Sequence, residues 1–185
     1  NAGNSIASGG NFNVVVGDEA GTAITTGDQN VAVGYQALDA LDTAIRNVAV
    51  GTTALTSDTK GDASVAVGHG ALFAQNFTTT TSVYNTAVGY HAGVSVTTGT
   101  NNTLIGGLAG DAITSAVRNV AVGKGALSSD TLGNASVAIG ENALSTQNLT
   151  TATNVHNVAV GLNAGFSVTT GIENTLIGGL AGDAL

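Results

Sequence analysis

The hydrophobic pattern of this chain is a short apolar block that returns at nearly constant spacing. The block reads Asn-Val-Ala-Val-Gly with small variations, and an Ala follows three residues after each glycine. Successive glycine positions differ by 17 except for two differences of 21, so four units form a superrepeat with a period of 72. The glycines are Gly17, Gly34, Gly51, Gly68, Gly89, Gly106, Gly123, Gly140, Gly161 and Gly178. A fixed period of this kind predicts an array of stacked units.

Each unit favours β-structure over helix. The apolar runs are short, they are bounded by Asn and Gly, and they contain β-branched residues without a 3.6-residue period. We therefore predict an all-β fold, a repetitive parallel β-roll or β-solenoid with 17- and 21-residue coils. Residues 1–12 are expected to form an N-terminal partial coil, and residues 13–185 a single array of ten coils. Parallel strand spacing gives a rod of roughly 50 Å.

Three positions of the block are expected to be structural. The β-branched residue before the glycine is predicted to fill a buried column, the glycine to turn the chain sharply, and the Asn four residues before the glycine to form a hydrogen-bonded ladder. Representative members of these three columns are Val33, Val50 and Val122; Gly34, Gly51 and Gly123; and Asn30, Asn47 and Asn119.

The strand pattern also predicts self-association. The two Val positions of a block point to one side of the strand and the intervening Ala to the other, so both faces are apolar and both need cover. We expect the small Ala column to line a contact between chains, most simply in a homotrimer about the rod axis. The alternative is a monomeric solenoid whose second face is covered by its own turns.

Composition narrows the range of possible functions. The net charge is −8 with only four basic residues, which argues against nucleic acid and against anionic membrane surfaces as partners. No apolar run approaches the roughly 20 residues of a membrane span. The chain has no Cys, and its three His residues lack a recognisable catalytic or metal-binding setting. We therefore predict no enzymatic activity, no cofactor and no metal site.

The longer coils are the predicted place for ligand binding. Their four extra residues should bulge outward, beside exposed aromatic rings, amides and hydroxyl groups that suit a sugar. The candidate ligand-binding residues are Phe73, Asn76, Phe77, Thr78, Tyr84, Tyr90 and His91. The alternative is that the loop only adjusts the coil, with Phe73 and Phe77 folded back as a lid. Ice binding through Thr pairs such as Thr25-Thr26 ranks lower, because those pairs recur only every fourth coil.

The blocks resemble known surface fibres. Residues 47–51 (Asn-Val-Ala-Val-Gly) and residues 63–68 (Ala-Ser-Val-Ala-Val-Gly) are similar to the repeats of trimeric autotransporter adhesin heads, which are left-handed parallel β-rolls. Residues 30–38 and 85–90 are still more similar to the repeats of phage tail-fibre proteins. The resemblance implies a trimeric, non-catalytic rod, extracellular on a virion tail fibre or a bacterial cell surface. Such a rod presents or forms a region that binds a host-surface glycan or receptor.

Overall fold

The chain forms a parallel β-solenoid. A computed structural model describes residues 1–183, which contain 14 strands and no helix. Ten strands form one parallel sheet in which successive coils are neighbours. These are β1 Val14–Val16, β2 Val31–Val33, β3 Val48–Val50, β5 Val65–Val67, β7 Thr86–Val88, β8 Thr103–Ile105, β9 Val120–Val122, β11 Val137–Ile139, β13 Val158–Val160 and β14 Thr175–Ile177. The predicted fold class is confirmed.

Two further strand pairs belong to the longer coils. Strand β4 Gly61–Asp62 pairs with β6 Thr81–Ser82, and β10 Gly133–Asn134 pairs with β12 Thr153–Asn154, both in parallel. At the start of the chain, the amides of Gly3 and Ala7 donate to the carbonyl groups of Ala20 and Thr25 in the first full coil. Residues 184 and 185 of the predicted array lie outside the described residues.

Glycine is required where each strand ends, a position we call the corner. The corner glycine of the third coil, Gly51, has φ of 134°, in the region that side chains disfavour. A Cβ atom there would lie 2.5 Å from the carbonyl oxygen of Gly68 on the next coil. The same contact recurs up the stack, so the coils approach each other backbone to backbone at this corner. This explains why the position is Gly in every unit.

The inward and outward faces of the sheet are the reverse of the prediction. In nearly every strand the middle residue is fully buried, whereas Val33, Val50 and Val122 are only half-buried and point outward. The interior of a coil is thin, because a second Ala column three residues after the corner faces the sheet from the other side. A single small inward column fits this space, and the two flanking β-branched columns turn outward.

Two columns of the core balance the sizes of their side chains: the middle residue of the strand and the residue four after the corner. Five of the ten coils combine Ala in the middle of the strand with a buried Leu four residues after the corner, such as Leu55 or Leu127. Where the strand instead carries Leu104, the facing positions are Gly93 and Gly110, and a Cβ atom at either would lie within 2.7 Å of the Leu104 side chain. The larger residue is thus accommodated because its neighbours have no side chain.

The core assignment predicts the effect of truncating Leu104. The Leu104→Ala variant should lose about 2–5 kcal/mol in free energy of unfolding, because the flanking glycines cannot fill the cavity. Leu162→Ala is the matched control, since Leu162 is 54% exposed on the flank and its truncation should change stability little. Denaturant unfolding followed by circular dichroism measures both. Equal effects of the two substitutions would contradict the burial of Leu104.

Candidate functional site

The outer strand face is a largely apolar surface that runs along the whole main sheet. It consists of the first and third residues of the ten strands in the main sheet, all of them β-branched and none charged. The first column is Val14, Val31, Val48, Val65, Thr86, Thr103, Val120, Val137, Val158 and Thr175. The second is Val16, Val33, Val50, Val67, Val88, Ile105, Val122, Ile139, Val160 and Ile177. Every one of these residues is at least partly exposed, so the face is a continuous unpartnered strip.

A buried asparagine ladder supports this face along one edge. The side-chain oxygen of Asn30 accepts from the backbone N–H of Asn47 at 2.9 Å, and the Asn47 amide group donates to the carbonyl of Gly61 at 2.8 Å. The Asn119 side chain repeats both contacts further along the array. The ladder thus runs from side chain to backbone. It pairs backbone groups where the chain turns into the strand.

The ladder has different hydrogen-bond partners where Ser64 and Ser136 stand in place of Asn. At Ser64, the side chain of Gln75 donates to the serine hydroxyl at 3.1 Å and accepts from Asn85 at 2.9 Å. The same Gln75 group donates to the buried carboxylate of Asp58 at 2.5 Å. One superrepeat later, Gln147 makes the same three contacts with Ser136, Asn157 and Asp130. A glutamine therefore carries the ladder past each serine.

The repeat pattern did not predict this polar network. Seven residues after the corner, most coils carry Ile, Leu or Val, and only Asp58, Gln75, Asp130 and Gln147 interrupt that column. Gln75 and Gln147 lie in the two units that replace Asn by Ser, and Asp58 and Asp130 lie in the units just before them. These paired departures from the repeat were the available signal.

The long loops are held closed. Phe77 is 9% exposed, so the structure corrects the prediction that its ring is presented to a ligand. Its backbone N–H and that of Gly61 both donate to Asp58 at 3.0 Å, which fixes the start of the loop. Val83 is fully buried on the returning segment. Leu149 and Val155 occupy the same places in the second loop. Phe77, but not the exposed Phe73, behaves as the folded-back lid of the alternative interpretation.

The other predicted ligand-binding residues do not form one site. Asn76, Thr78 and Tyr84 are exposed near the loop, before the strand. Tyr90 and His91 follow the strand, so the extended segment 85–89 places them up to roughly 20 Å from Tyr84. Phe73 is exposed on the same flank as Tyr90 and His91, five residues after its own corner. The candidates are thus divided between two edges of the coil.

Three rings do meet on the flank beyond the corner. The ring centroids of Tyr90 and His91 are 4.1 Å apart and nearly parallel, and His69 on the preceding coil lies 5.5 Å from Tyr90 and 5.2 Å from His91. The His91 ring covers Gly70, where a Cβ atom would lie 2.6 Å from it. Over residues 1–183, no cluster of three or more His, Asp or Glu side chains is arranged to hold a metal ion. The three stacked and tilted rings form an aromatic surface.

Several threonine hydroxyl groups of the predicted rows are engaged within the protein. Thr97 and Thr114, each eight residues after a corner, donate their hydroxyl groups to the carbonyl of the residue in the same place on the next coil, at 3.2 Å and 3.1 Å. Thr25 donates to the Asp42 carboxylate at 2.6 Å. These hydroxyl groups stabilise the stack and do not form a free, regular array for ice.

Neither the comparisons with known proteins nor the search for membrane-spanning helices assigns a function to the chain. Searches of known protein families, of characterised proteins and of solved structures find no match. Within the described part of the chain, no helix is long and apolar enough to cross a membrane. Function must therefore be argued from the surfaces described above.

The loop network predicts the effect of changing Asp58. The Asp58→Asn variant should lose about 1–3 kcal/mol of stability, because its NH₂ group faces a donor in either orientation: the Gln75 amide on one side, or the N–H groups of Gly61 and Phe77 on the other. Asp62→Asn is the matched control, since Asn134 already occupies that position one superrepeat later. Asn134 accepts from Val117 as Asp62 accepts from Ile45, both at 2.8 Å.

Denaturant unfolding and limited proteolysis of the loop measure the effect of both substitutions. The Asp58 variant should be cleaved faster within residues 77–82, and the control should behave like the wild type. Unchanged stability and cleavage in the Asp58 variant would show that the buried carboxylate does not hold the loop.

Proposed function

We propose that this chain is a rod segment of a homotrimeric extracellular fibre. The observation that carries the proposal is the outer strand face, a charge-free strip of β-branched residues along all ten coils. A monomer would leave this strip in water, whereas association removes it at about 25 cal/mol per Å² of apolar surface. The strip replaces the Ala column as the predicted contact between chains, because the Ala residues are already buried within the coil.

A second copy of the same chain is the partner that fits this face best. The face repeats with the spacing of the coils, and only a partner with the same spacing can match it over its whole length. Rotation about the rod axis keeps equivalent coils at the same height, so each layer brings together the same β-branched residues. The charged side chains are absent from the strip, which leaves the net charge of −8 on the flanks and loops or inside the coil.

The threefold symmetry and the biological setting are supported by the resemblance of the repeats to tail fibres and adhesin heads. In this proposal the rod has no catalytic role and needs no cofactor. It holds or forms a host- or surface-binding region on a virion tail fibre or a bacterial cell surface. Backbone-to-backbone stacking at the corners suits such a part, because each coil is fixed directly by its neighbours.

Charges on the outer strand face should separate the subunits without unfolding the coil. The double variant Val50→Asp/Val122→Asp would bury unpaired carboxylates in a trimer but expose them in a monomer. We expect sedimentation velocity to give three times the 17.9 kDa chain mass for the wild type and a single chain mass for the variant. Circular dichroism should show that the variant keeps its β-structure.

A matched control places the same charges on the flank. Thr52 and Thr98 are exposed outside the strands, so the Thr52→Asp/Thr98→Asp variant should remain trimeric. A monomeric wild type would overturn the proposal. So would a Val50→Asp/Val122→Asp variant that stays trimeric.

A second candidate function is saccharide binding on the flank. The ring cluster of His69, Tyr90 and His91 favours it, because adjacent flat rings and exposed polar groups suit the apolar face and hydroxyl groups of a sugar. The long loops contribute less than the sequence indicated, since Phe77 is buried.

A further inference from the structure

Threonine interrupts the first column of the outer strand face. The column is Val except in the fifth, sixth and tenth coils, whose strands begin with Thr86, Thr103 and Thr175. Thr86 and Thr103 are paired neighbours in the sheet, and both are half-buried. Val and Thr have similar shapes and both favour strands, so a face that is open to water would accept either residue equally well. The placement of the three hydroxyl groups therefore needs a separate explanation.

The inner side of the sheet does not account for these threonines. Thr103 precedes the large inner residue Leu104, but Thr86 precedes Ala87. Thr86 also departs from the superrepeat, because the equivalent strand four coils later begins with Val158. Neither the size of the inner neighbour nor the repeat itself thus determines where Thr occurs.

The hydroxyl groups matter once the outer strand face is covered. In a trimer the face leaves water, and a hydroxyl group that has no partner there costs stability. We call the Thr side chains that lie at one height of the rod a Thr layer. When the chains stand at equal height, equivalent Thr residues meet, and their hydroxyl groups can both donate and accept. When one chain is shifted along the axis, the same hydroxyl groups face Val methyl groups.

The spacing of the Thr layers distinguishes the aligned chains from every shifted arrangement. With Thr in the fifth, sixth and tenth coils, a shift by one, four or five coils matches a single Thr layer, and any other shift matches none. A shift by four coils would restore the superrepeat, yet it sets Thr86 against Val158. A column of Val alone would permit all these shifts with the loss of end contacts only.

The second column of the face varies in side-chain size. It is Val except in the sixth, eighth and tenth coils, which carry Ile105, Ile139 and Ile177. A shift by one coil sets every Ile against Val, which disturbs close packing. A shift by two coils matches two Ile layers but no Thr layer. Only the aligned arrangement matches both columns in every coil.

We propose that Thr86, Thr103 and Thr175 set the axial register in which copies of this chain associate. The partner is the same chain, and it is recognised by matching hydroxyl layers within an otherwise apolar face. This role rests on the trimeric rod proposed in the preceding section. It adds the residues that determine at which height the chains join.

Moving the hydroxyl groups to other coils tests this role. The variant Val65→Thr/Thr86→Val/Thr103→Val/Val120→Thr keeps the composition but carries Thr in the fourth, seventh and tenth coils. Alone it should form trimers, because its own layers match. When it is refolded with ¹⁵N-labelled wild type, mixed trimers should fall at least about tenfold below the statistical proportion, since four layers would bury unpaired hydroxyl groups. Native mass spectrometry counts the mixed trimers.

The matched control is Thr86→Ser/Thr103→Ser, which keeps each hydroxyl group in its layer. It should mix with the labelled wild type in the statistical proportion. Statistical mixing of the moved-layer variant, or equal exclusion of the Ser variant, overturns the register role and leaves the trimer intact. A moved-layer variant that forms no trimers alone also overturns it, because matching layers should be sufficient. A monomeric wild type in the same spectra overturns the trimer and the register role together.

Discussion

The whole molecule depends on the close backbone contact at the corner glycines. A Cβ atom at Gly51 would collide with the carbonyl oxygen of Gly68, so the coils can stack at strand spacing only if this position has no side chain. The stacking fixes the parallel register of the sheet, in which Val48 pairs with Val65 across adjacent coils. The register in turn aligns every column of the repeat. The outer strand face and the asparagine ladder are both consequences of this alignment.

Positions that depart from the repeat make individual coils different from one another. Two serines in the ladder are matched by Gln75 and Gln147, which reach the buried carboxylates of Asp58 and Asp130. These networks hold the loops of the longer coils. On the flank, the hydroxyl group of Thr22 donates to Asp39, whereas Val94 stands in the place of Thr22 one superrepeat later and Asp111 Oδ1 has no hydrogen-bond partner. Regular positions therefore build the rod, and irregular positions distinguish one part of its surface from another.

The sequence predicted the solenoid but not the direction of its faces. The period and the invariant glycines determine the stacking, so the fold followed from them directly. The Val and Ala positions alternate, and alternation alone does not say which side is inside. The larger side chain of Val50 favoured it as the core residue, yet the thin interior of the coil accommodates Ala49 instead. Similarly, the sequence pattern does not say which way Phe77 points, because it does not show that the backbone N–H of Phe77 donates to Asp58. The predicted binding residues were divided between two edges, because the strand between Tyr84 and Tyr90 separates them.

In the proposed fibre, the outer strand face is covered by other copies of the chain in solution. Methyl NMR with a soluble paramagnetic agent tests this directly on the unmodified protein. A trimeric rod should protect the methyl groups of Val50 and Val122 from broadening as fully as those of Ala49 and Ala121. Strong broadening of the Val signals, with the Ala signals unaffected, would show that the face is open to water and would contradict the trimeric rod.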